Sequence, residues 1–331
     1  MTHVGVEGTT TRPRISVVIP VHDRPIQIWK AVSSVLRQSM PVTEIIIVDD
    51  GSTRPVENAE LQGQSVELRI LRHAENAGAP AARNTGIEAA SGDWVAFLDS
   101  DDAWHPEKLA TQFAQSASFP RGGPVFLSCN GVEKRAAGDY RLLNGRLRGS
   151  SRRSIREAVA RGELSLLTSS LVVPTDLARR IGFKREVKVL QDYHFALGLF
   201  AAGASCEYAD APLYLYDNTG RADQISAVNA ARIERALESY RRLHGEVSAN
   251  ELQEHFVRLL VNPALFKQPA LLMRSMRWIL TTSVAAPFTV PYFALCKLTT
   301  KSIGLFERKR LRSGPILRGE APRGAAPYTR S

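Results

Sequence analysis

Two acidic clusters stand where carboxylates can do chemistry. Asp49-Asp50 and Asp99-Ser100-Asp101-Asp102 each follow directly on an apolar run. In an extended segment residues two apart face the same side, which aims Asp99 and Asp101 together and turns Ser100 away. Two hard oxygen donors on one side suit Mg²⁺ or Mn²⁺, ions that keep open positions for a substrate's phosphates. A nucleoside diphosphate would fill those positions. The bland use of such residues is a solvated turn with Asx hydrogen bonds and a helix cap, but three carboxylates together after a buried strand favour a metal.

The surrounding pattern says what must hold these groups. Ile15 to Val21 is a continuous apolar, β-branched run, followed by Ile26, Trp29, Val32, Val35 and Leu36 at helical spacing until Pro41. Glu44 to Val48 and Val66 to Leu71 read as further strands, Pro80 to Ala90 as an alanine-rich helix, and Trp94 to Leu98 as a fourth strand ending at the second acidic cluster. Runs this apolar imply a sheet covered on both faces. The alternation over residues 15–120 predicts a doubly wound, mostly parallel α/β layer, whose ligands sit beyond the carboxyl ends of the strands. Both clusters should therefore meet in one crevice. Downstream, a helix begins near His105-Pro106-Glu107, Val125 to Cys129 is a strand, and residues 131–153, rich in Gly, Arg and Ser, read as a loop over the site. Leu166 to Val173 reads as a strand, Thr175 to Ile181 and Gln191 to Ala202 as helices ended by Gly182 and Gly203, and Cys206 to Tyr216 as a last strand. From about Ala227 the pattern is helical.

Four blocks now carry a resemblance. Ile15-Ser16-Val17-Val18-Ile19-Pro20-Val21-His22-Asp23, Ile45-Ile46-Ile47-Val48-Asp49-Asp50-Gly51-Ser52, Asn76-Ala77-Gly78 with Ala82-Arg83-Asn84-Thr85-Gly86, and Phe97-Leu98-Asp99-Ser100-Asp101-Asp102-Ala103-Trp104 closely resemble family 2 glycosyltransferases in order and spacing, over roughly residues 13–220. The resemblance implies a GT-A fold and transfer of a sugar, with inversion, from a nucleotide-diphosphate sugar. It places Pro20 and His22 at the base and ribose pocket, although tyrosine is commoner at the second position. Asp50 is placed on the nucleobase, in a role suited to the imide N–H of uracil or thymine and hence to a UDP- or dTDP-sugar, with a UDP-sugar favoured. Arg83 comes to the nucleotide side, Asp99 and Asp101 to the DxD metal and ribose site with Ser100 between them at the donor, and Asp102 behind. Gln191-Asp192 falls on the family's acidic pair at a helix start, which makes Asp192 the candidate base for the acceptor hydroxyl; the first acid is replaced by Gln191. A cap is its structural alternative. Tyr216-Asp217 stands where the family often has a Tyr-Arg pair, and the processive polymerases' QxxRW signature is absent, which favours single additions.

The implied organisation is an N-terminus over residues 1–13, a catalytic domain over 14–226, a helical and possibly membrane-associated region over 227–310, and a basic tail over 311–331. Of the chain's 331 residues 44% are hydrophobic and 23% charged, with a net charge of +10; a wholly disordered or collagen-like chain is excluded. The excess is local: ten basic against three acidic residues over 121–161, and eight against two over 299–331. Two basic zones on a mildly acidic body suit an anionic lipid or phosphate partner. They lack the interleaved aromatics of a nucleic-acid platform, so none is expected. Three scattered cysteines suggest neither a zinc cage nor a disulfide framework. Met1 to Arg14 has no apolar run, so no signal peptide is expected. Trp278 to Cys296 is an uncharged stretch of minimum spanning length, flanked by basic residues and interrupted by Pro287 and Pro291. The expected setting is the cytoplasmic face of a membrane, with a glycan or lipid-linked acceptor. Pro20-Val21-His22-Asp23-Arg24-Pro25 cannot be the glycine-rich turn of a dinucleotide-binding oxidoreductase. A catalytically silent relative that binds glycan or scaffolds an assembly is the rival reading.

Overall fold

The computed structural model describes residues 12–57, 66–116, 123–144, 152–160 and 163–219, together with Arg235, Glu238, Ser239 and a short strand at Ile316–Leu317. The apolar stretch at 278–296, the helical pattern after 227 and most of the basic tail lie outside the described residues. Among the described residues no helix is long and apolar enough to cross a membrane.

The first half is built as the hydrophobic runs dictate. Strand β1 (Ile15–Val21) leads through α1 (Gln27–Leu36) to β2 (Glu44–Asp49) and β3 (Glu67–Arg72), and α2 (Ala79–Ala89) returns the chain to β4 (Trp94–Phe97). β3, β2, β1 and β4 lie side by side in that order, all parallel. Every residue of β1 and β2 is buried, so their continuous apolar runs serve two faces at once. Val17, Ile19, Ile45 and Ile47 pack with Ile28, Val32 and Val35 of α1. Val18, Ile46 and Val48 pack on the other side with Ala82 and Ile87 of α2. A Cβ on Gly86 would overlap the Val18 side chain, so glycine there sets how closely α2 lies on β1. Because β1 connects outward to β2 while β3 connects back across to β4, the strand order reverses between β1 and β4. Crevices form at such a point.

Beyond β4 the sheet turns antiparallel. β5 (Ala103–Trp104) and α3 (Lys108–Ser116) precede β6 (Val125–Arg135), β7 (Tyr140–Leu142), α4 (Arg152–Ala160), a 3₁₀ turn at Thr168–Ser170, β8 (Val172–Pro174), α5 (Thr175–Ile181), α6 (Gln191–Ala201) and β9 (Ser205–Asn218). β8 joins β4 and β6 antiparallel, while β6 runs parallel to β9. Ile316–Leu317, labelled β10, pairs antiparallel with β7, so part of the expected tail lies on the edge of this sheet.

Two sequence expectations change. Residues 131–135 continue strand β6 and 140–142 form β7, so the expected loop over 131–153 is in large part a hairpin. Both of its arginines are paired, Arg141 with Glu133 at 2.5 Å and Arg135 with Asp139 at 3.1 Å. The expected strand over 166–173 shortens to β8, because Trp104 Nε1 donates to the Ser169 carbonyl at 2.8 Å and the Ser170 hydroxyl to that of Leu167 at 2.6 Å, which holds a turn.

Candidate active site

The carboxyl ends of β1, β2 and β4 open on one cavity of about 590 Å³, a size that suits a drug-sized ligand. From the β1 end come Pro20, Val21, His22, Asp23 and Arg24; from β2 comes Asp50; from β4 come Asp99, Ser100 and Asp101. Asn76, Gly78, Ala79 and Arg83 arrive with the start of α2, and Tyr216 and Asp217 with the end of β9. No described residue of the β6–β7 hairpin lines it.

Asp49 and Asp50 part company at the end of β2. Asp49 turns into the structure, accepting from the Ser52 and Val56 amides at 2.9 and 3.2 Å and from Arg72 at 2.5 Å. Burial works to raise its carboxyl, but those hydrogen bonds and the Arg72 charge outweigh it and hold it below the ordinary range. Asp50 faces the cavity. It accepts from the amides of Ala77 and Gly78 at 2.9 and 2.8 Å and from His73 Nδ1 at 2.7 Å. A carboxylate offers about four acceptor positions, so one is left for a ligand donor. His73 donates through Nδ1, which in the neutral ring leaves Nε2 to accept the Thr85 hydroxyl at 2.9 Å. Gly51, at φ 68°, lets this loop pass the Glu75–Asn76 backbone, where a Cβ would come within 2.5 Å of the Glu75 carbonyl carbon. His22 must carry its proton on Nδ1, because its partner at 2.9 Å is the Asp50 carbonyl oxygen.

The second cluster is a turn rather than an extended segment: the Asp102 amide donates to the Asp99 carbonyl at 3.0 Å. Alternation therefore fails. Asp99, Ser100 and Asp101 all line the cavity, and Ser100 does not point away as extended geometry would have it. Asp102 alone turns inward, accepting from the Ser169 hydroxyl at 2.6 Å and from the Asp217 amide at 3.1 Å. Burial, reinforced by the charges of Asp101 and Asp99, pushes its carboxyl well up. Ser169 also accepts from the Asp99 amide at 3.1 Å, so one buried hydroxyl fixes both ends of the turn.

Asp99 and Asp101 both hold guanidinium groups. Arg83 donates to Asp99 Oδ1 at 2.6 Å and to Gln191 Oε1 at 2.8 Å, with its guanidinium 5.2 Å from the centre of the Phe183 ring. Arg83 is only 5% exposed, and its Nε has no hydrogen-bond partner among the described residues. A buried unsatisfied donor on a cavity wall is a position that a ligand oxygen can fill. Arg24 Nη1 lies 2.9 Å from Asp101 Oδ2 and 3.4 Å from the Ser100 hydroxyl. The donor set, two carboxylates opening on one cavity, fits a hard divalent cation in type. Among the described residues no three His, Cys, Asp or Glu side chains cluster as a preformed cage, so any cation would take its remaining ligands from the substrate or water.

Asp192 does not line the cavity. It opens α6 one residue after Gln191, half-buried, with Oδ1 accepting from the Tyr193 amide at 2.9 Å. Burial raises its carboxyl, the Tyr193 amide and the Arg83 charge oppose that, and the Asp99 charge adds to it. It thus stands within electrostatic reach of the Arg83–Asp99 pair. Among the described residues only Asp23 (φ 49°) and Leu190 (φ 61°) hold left-handed backbone without being glycine. Both adjoin this region. Such strain costs about 1–3 kcal/mol each and persists only where the surroundings enforce it.

Pro20, His22, Asp50, Arg83, Asp99, Ser100 and Asp101, all expected from sequence, share one cavity. Sequence reasoning missed Arg24, His73 and Ser169, whose partners lie 77, 23 and 67 residues away; spacing carries no signal of such pairs.

A parallel half-sheet with its crevice at the β1/β4 reversal, lined by a DxD turn, defines the GT-A class of fold. Residues 16–131 match the sequence model of glycosyl transferase family 2. Over 106 residues, 31% of this chain and 42% of the relative, it is 43% identical to the putative teichuronic acid biosynthesis glycosyltransferase TuaG of Bacillus subtilis. Over 122 residues, 36% of this chain and 48% of the relative, it is 31% identical to WfgD of Escherichia coli, a UDP-Glc:α-D-GlcNAc-diphosphoundecaprenol β-1,3-glucosyltransferase. The chain spans less than half the length of these curated relatives. In structure it resembles S. aureus TarS 1–349 in complex with UDP-GlcNAc (TM-score 0.56, 19% identity, 80% of this chain and 79% of that one). It also resembles the mannosyltransferase PcManGT of Pyrobaculum calidifontis in complex with GDP-Man and Mn²⁺ (TM-score 0.56, 16% identity, 92% and 86%).

Proposed function

We propose that this chain transfers a sugar, with inversion and one unit at a time, from a nucleotide-diphosphate sugar to a hydroxyl of a glycan or lipid-linked acceptor. The observation that carries the reading is the meeting of Asp50, Arg83, Asp99, Ser100 and Asp101 around one cavity. The base sits beside Pro20 and His22 and donates its imide N–H to the remaining acceptor position of Asp50, which favours uracil. Arg83 presents Nε to the nucleotide. Asp101, with Asp99, would hold Mg²⁺ or Mn²⁺, and that ion would supply positive charge against the diphosphate as the leaving oxygen becomes negative. Asp192, its carboxyl raised by burial, takes the proton of the acceptor hydroxyl as that oxygen attacks from the face opposite the diphosphate. Gln191 in place of an acid leaves Arg83 with one carboxylate partner at this contact, Asp99, and a neutral one.

The names of the relatives support a nucleotide-sugar donor, and WfgD's supports a lipid diphosphate acceptor. The basic, apolar C-terminal region is suited to an anionic membrane surface at the cytoplasmic face. A panel of UDP-, GDP- and dTDP-sugars, each with Mn²⁺ or with chelator and scored by nucleotide release, tests the reading. Release is expected from UDP-sugars, only with the cation and an acceptor glycan or lipid. Binding without turnover across the panel would favour the silent relative.

A further inference from the structure

We infer that Arg24 is a latch on the cation position: it neutralises Asp101 while the site is empty of donor, and moves onto the diphosphate when cation and nucleotide arrive together. The inference rests on the proposed function. Arg24 Nη1 lies 2.9 Å from Asp101 Oδ2, and the two side chains are only 17% and 12% exposed. A cation taking the lone pair that now accepts this N–H would stand almost in contact with a guanidinium in a poorly hydrated pocket, where like charges repel strongly. The two charges therefore oppose each other's binding at Asp101.

The cavity offers Arg24 a second position. Arg83 is pinned by Asp99, Gln191 and the Phe183 ring, whereas Arg24 enters from the loop after β1 and reaches across to the DxD turn. The base of that loop is fixed. The Asp23 amide donates to Ser52 Oγ at 3.0 Å and the Thr53 amide to Asp23 Oδ1 at 2.7 Å, so the side chain can move without the backbone. A guanidinium presents paired donors that match phosphate oxygens. At the far end of the cavity, where the strand from β9 arrives, Asp217 supplies no cation to the diphosphate. Arg24 does so from the opposite wall.

Such an exchange makes cation and nucleotide cooperative, since each removes a cost of binding the other. Mn²⁺ binding to the full chain, followed by the electron paramagnetic resonance of free Mn²⁺ with and without UDP or GDP, reads this directly. In the unmodified chain Mn²⁺ alone should bind weakly, and nucleotide should tighten it by roughly 5- to 150-fold. In Arg24→Gln, Mn²⁺ alone should bind about tenfold tighter and the nucleotide enhancement should shrink by about the same factor, leaving what the diphosphate adds by direct ligation. Arg24→Lys keeps the cation and should keep the weak binding of Mn²⁺ alone. Equal Mn²⁺ affinity and equal enhancement in the unmodified chain and Arg24→Gln would overturn the latch and leave the site reading intact. Failure of both nucleotides to change Mn²⁺ binding in every protein would instead sink the proposed function, and the latch with it.

Discussion

At the scale of single residues the site is a set of charges held in place by their neighbours. Asp192 has its carboxyl raised chiefly by burial, and a base must be ionised to accept a proton. Transfer should therefore fall as pH drops through that raised value, placing the acid limb of kcat/KM above the ordinary carboxylate value of about 4. A profile that stays flat down to pH 4 would remove Asp192 from the role. In the proposed function His73 acts on the nucleobase through Asp50, whose Oδ1 it holds at 2.7 Å. His73→Leu removes its hydrogen bonds to Asp50 and Thr85; losing the one to Asp50, about 1 kcal/mol, should raise KM for the donor roughly fivefold with kcat unchanged, as steady-state kinetics would show. Asp50, Asp99 and Asp101 were legible because each ends an apolar run, which fixes its place at a strand's carboxyl end. Arg24 and His73 were not, because their partners come from other strands.

At the scale of elements, what reads well is whatever a run of side chains must bury. β1, β2, α5 and the start of α6 fall where the apolar runs and the glycines put them. β6 was cut short at Cys129 because Asn130, Gly131 and Glu133 look like a loop, yet all three are buried in the strand. Asn130 Nδ2 donates to the Asn144 carbonyl at 3.0 Å, and Glu133 accepts from Arg141 at 2.5 Å and Asn218 at 2.6 Å. Polar residues can line a buried strand when their partners are supplied from elsewhere. Lys108 of α3 is a second instance: it is fully buried, bonded to Gln112 at 2.9 Å and 4.2 Å from the centre of the Trp104 ring. Burial lowers its ammonium to about 8 against a slight opposing pull from Cys129. The unfolded chain then holds more protons between about 8 and about 10.4, so stability rises with pH across that window and the burial cost, about 3 kcal/mol, is fully present below it. Lys108→Met should be about 1–3 kcal/mol more stable at pH 7. The gap should narrow by pH 9.5 in urea titrations; a gap independent of pH would contradict the burial account.

At the scale of the whole molecule, the sheet is two halves with different work. The parallel half, β3-β2-β1-β4, brings three strand ends to one crevice, and its alternating strands and helices were legible from residue 15 onward. The antiparallel half, β8 with β6 and β7, braces that crevice and closes one side of it through β9. Its three-residue β7 carries no period long enough to read, whereas β6, β8 and β9 were legible in part. β10 reaches the outer edge of β7 from residues 316–317, a contact between positions some 175 apart that no local pattern announces. The site is where the whole arrangement can be tested, because the proposed function gives Asp101 in the cavity and Asp192 outside it separable tasks. Donor binding and transfer, measured side by side on Asp101→Ala and Asp192→Asn by calorimetry with UDP and Mn²⁺ and by nucleotide release, make that test. Asp101→Ala should lose metal-dependent UDP binding and transfer together, whereas Asp192→Asn should bind as before and lose transfer by about 10²-fold or more. Normal transfer by both variants would contradict the account.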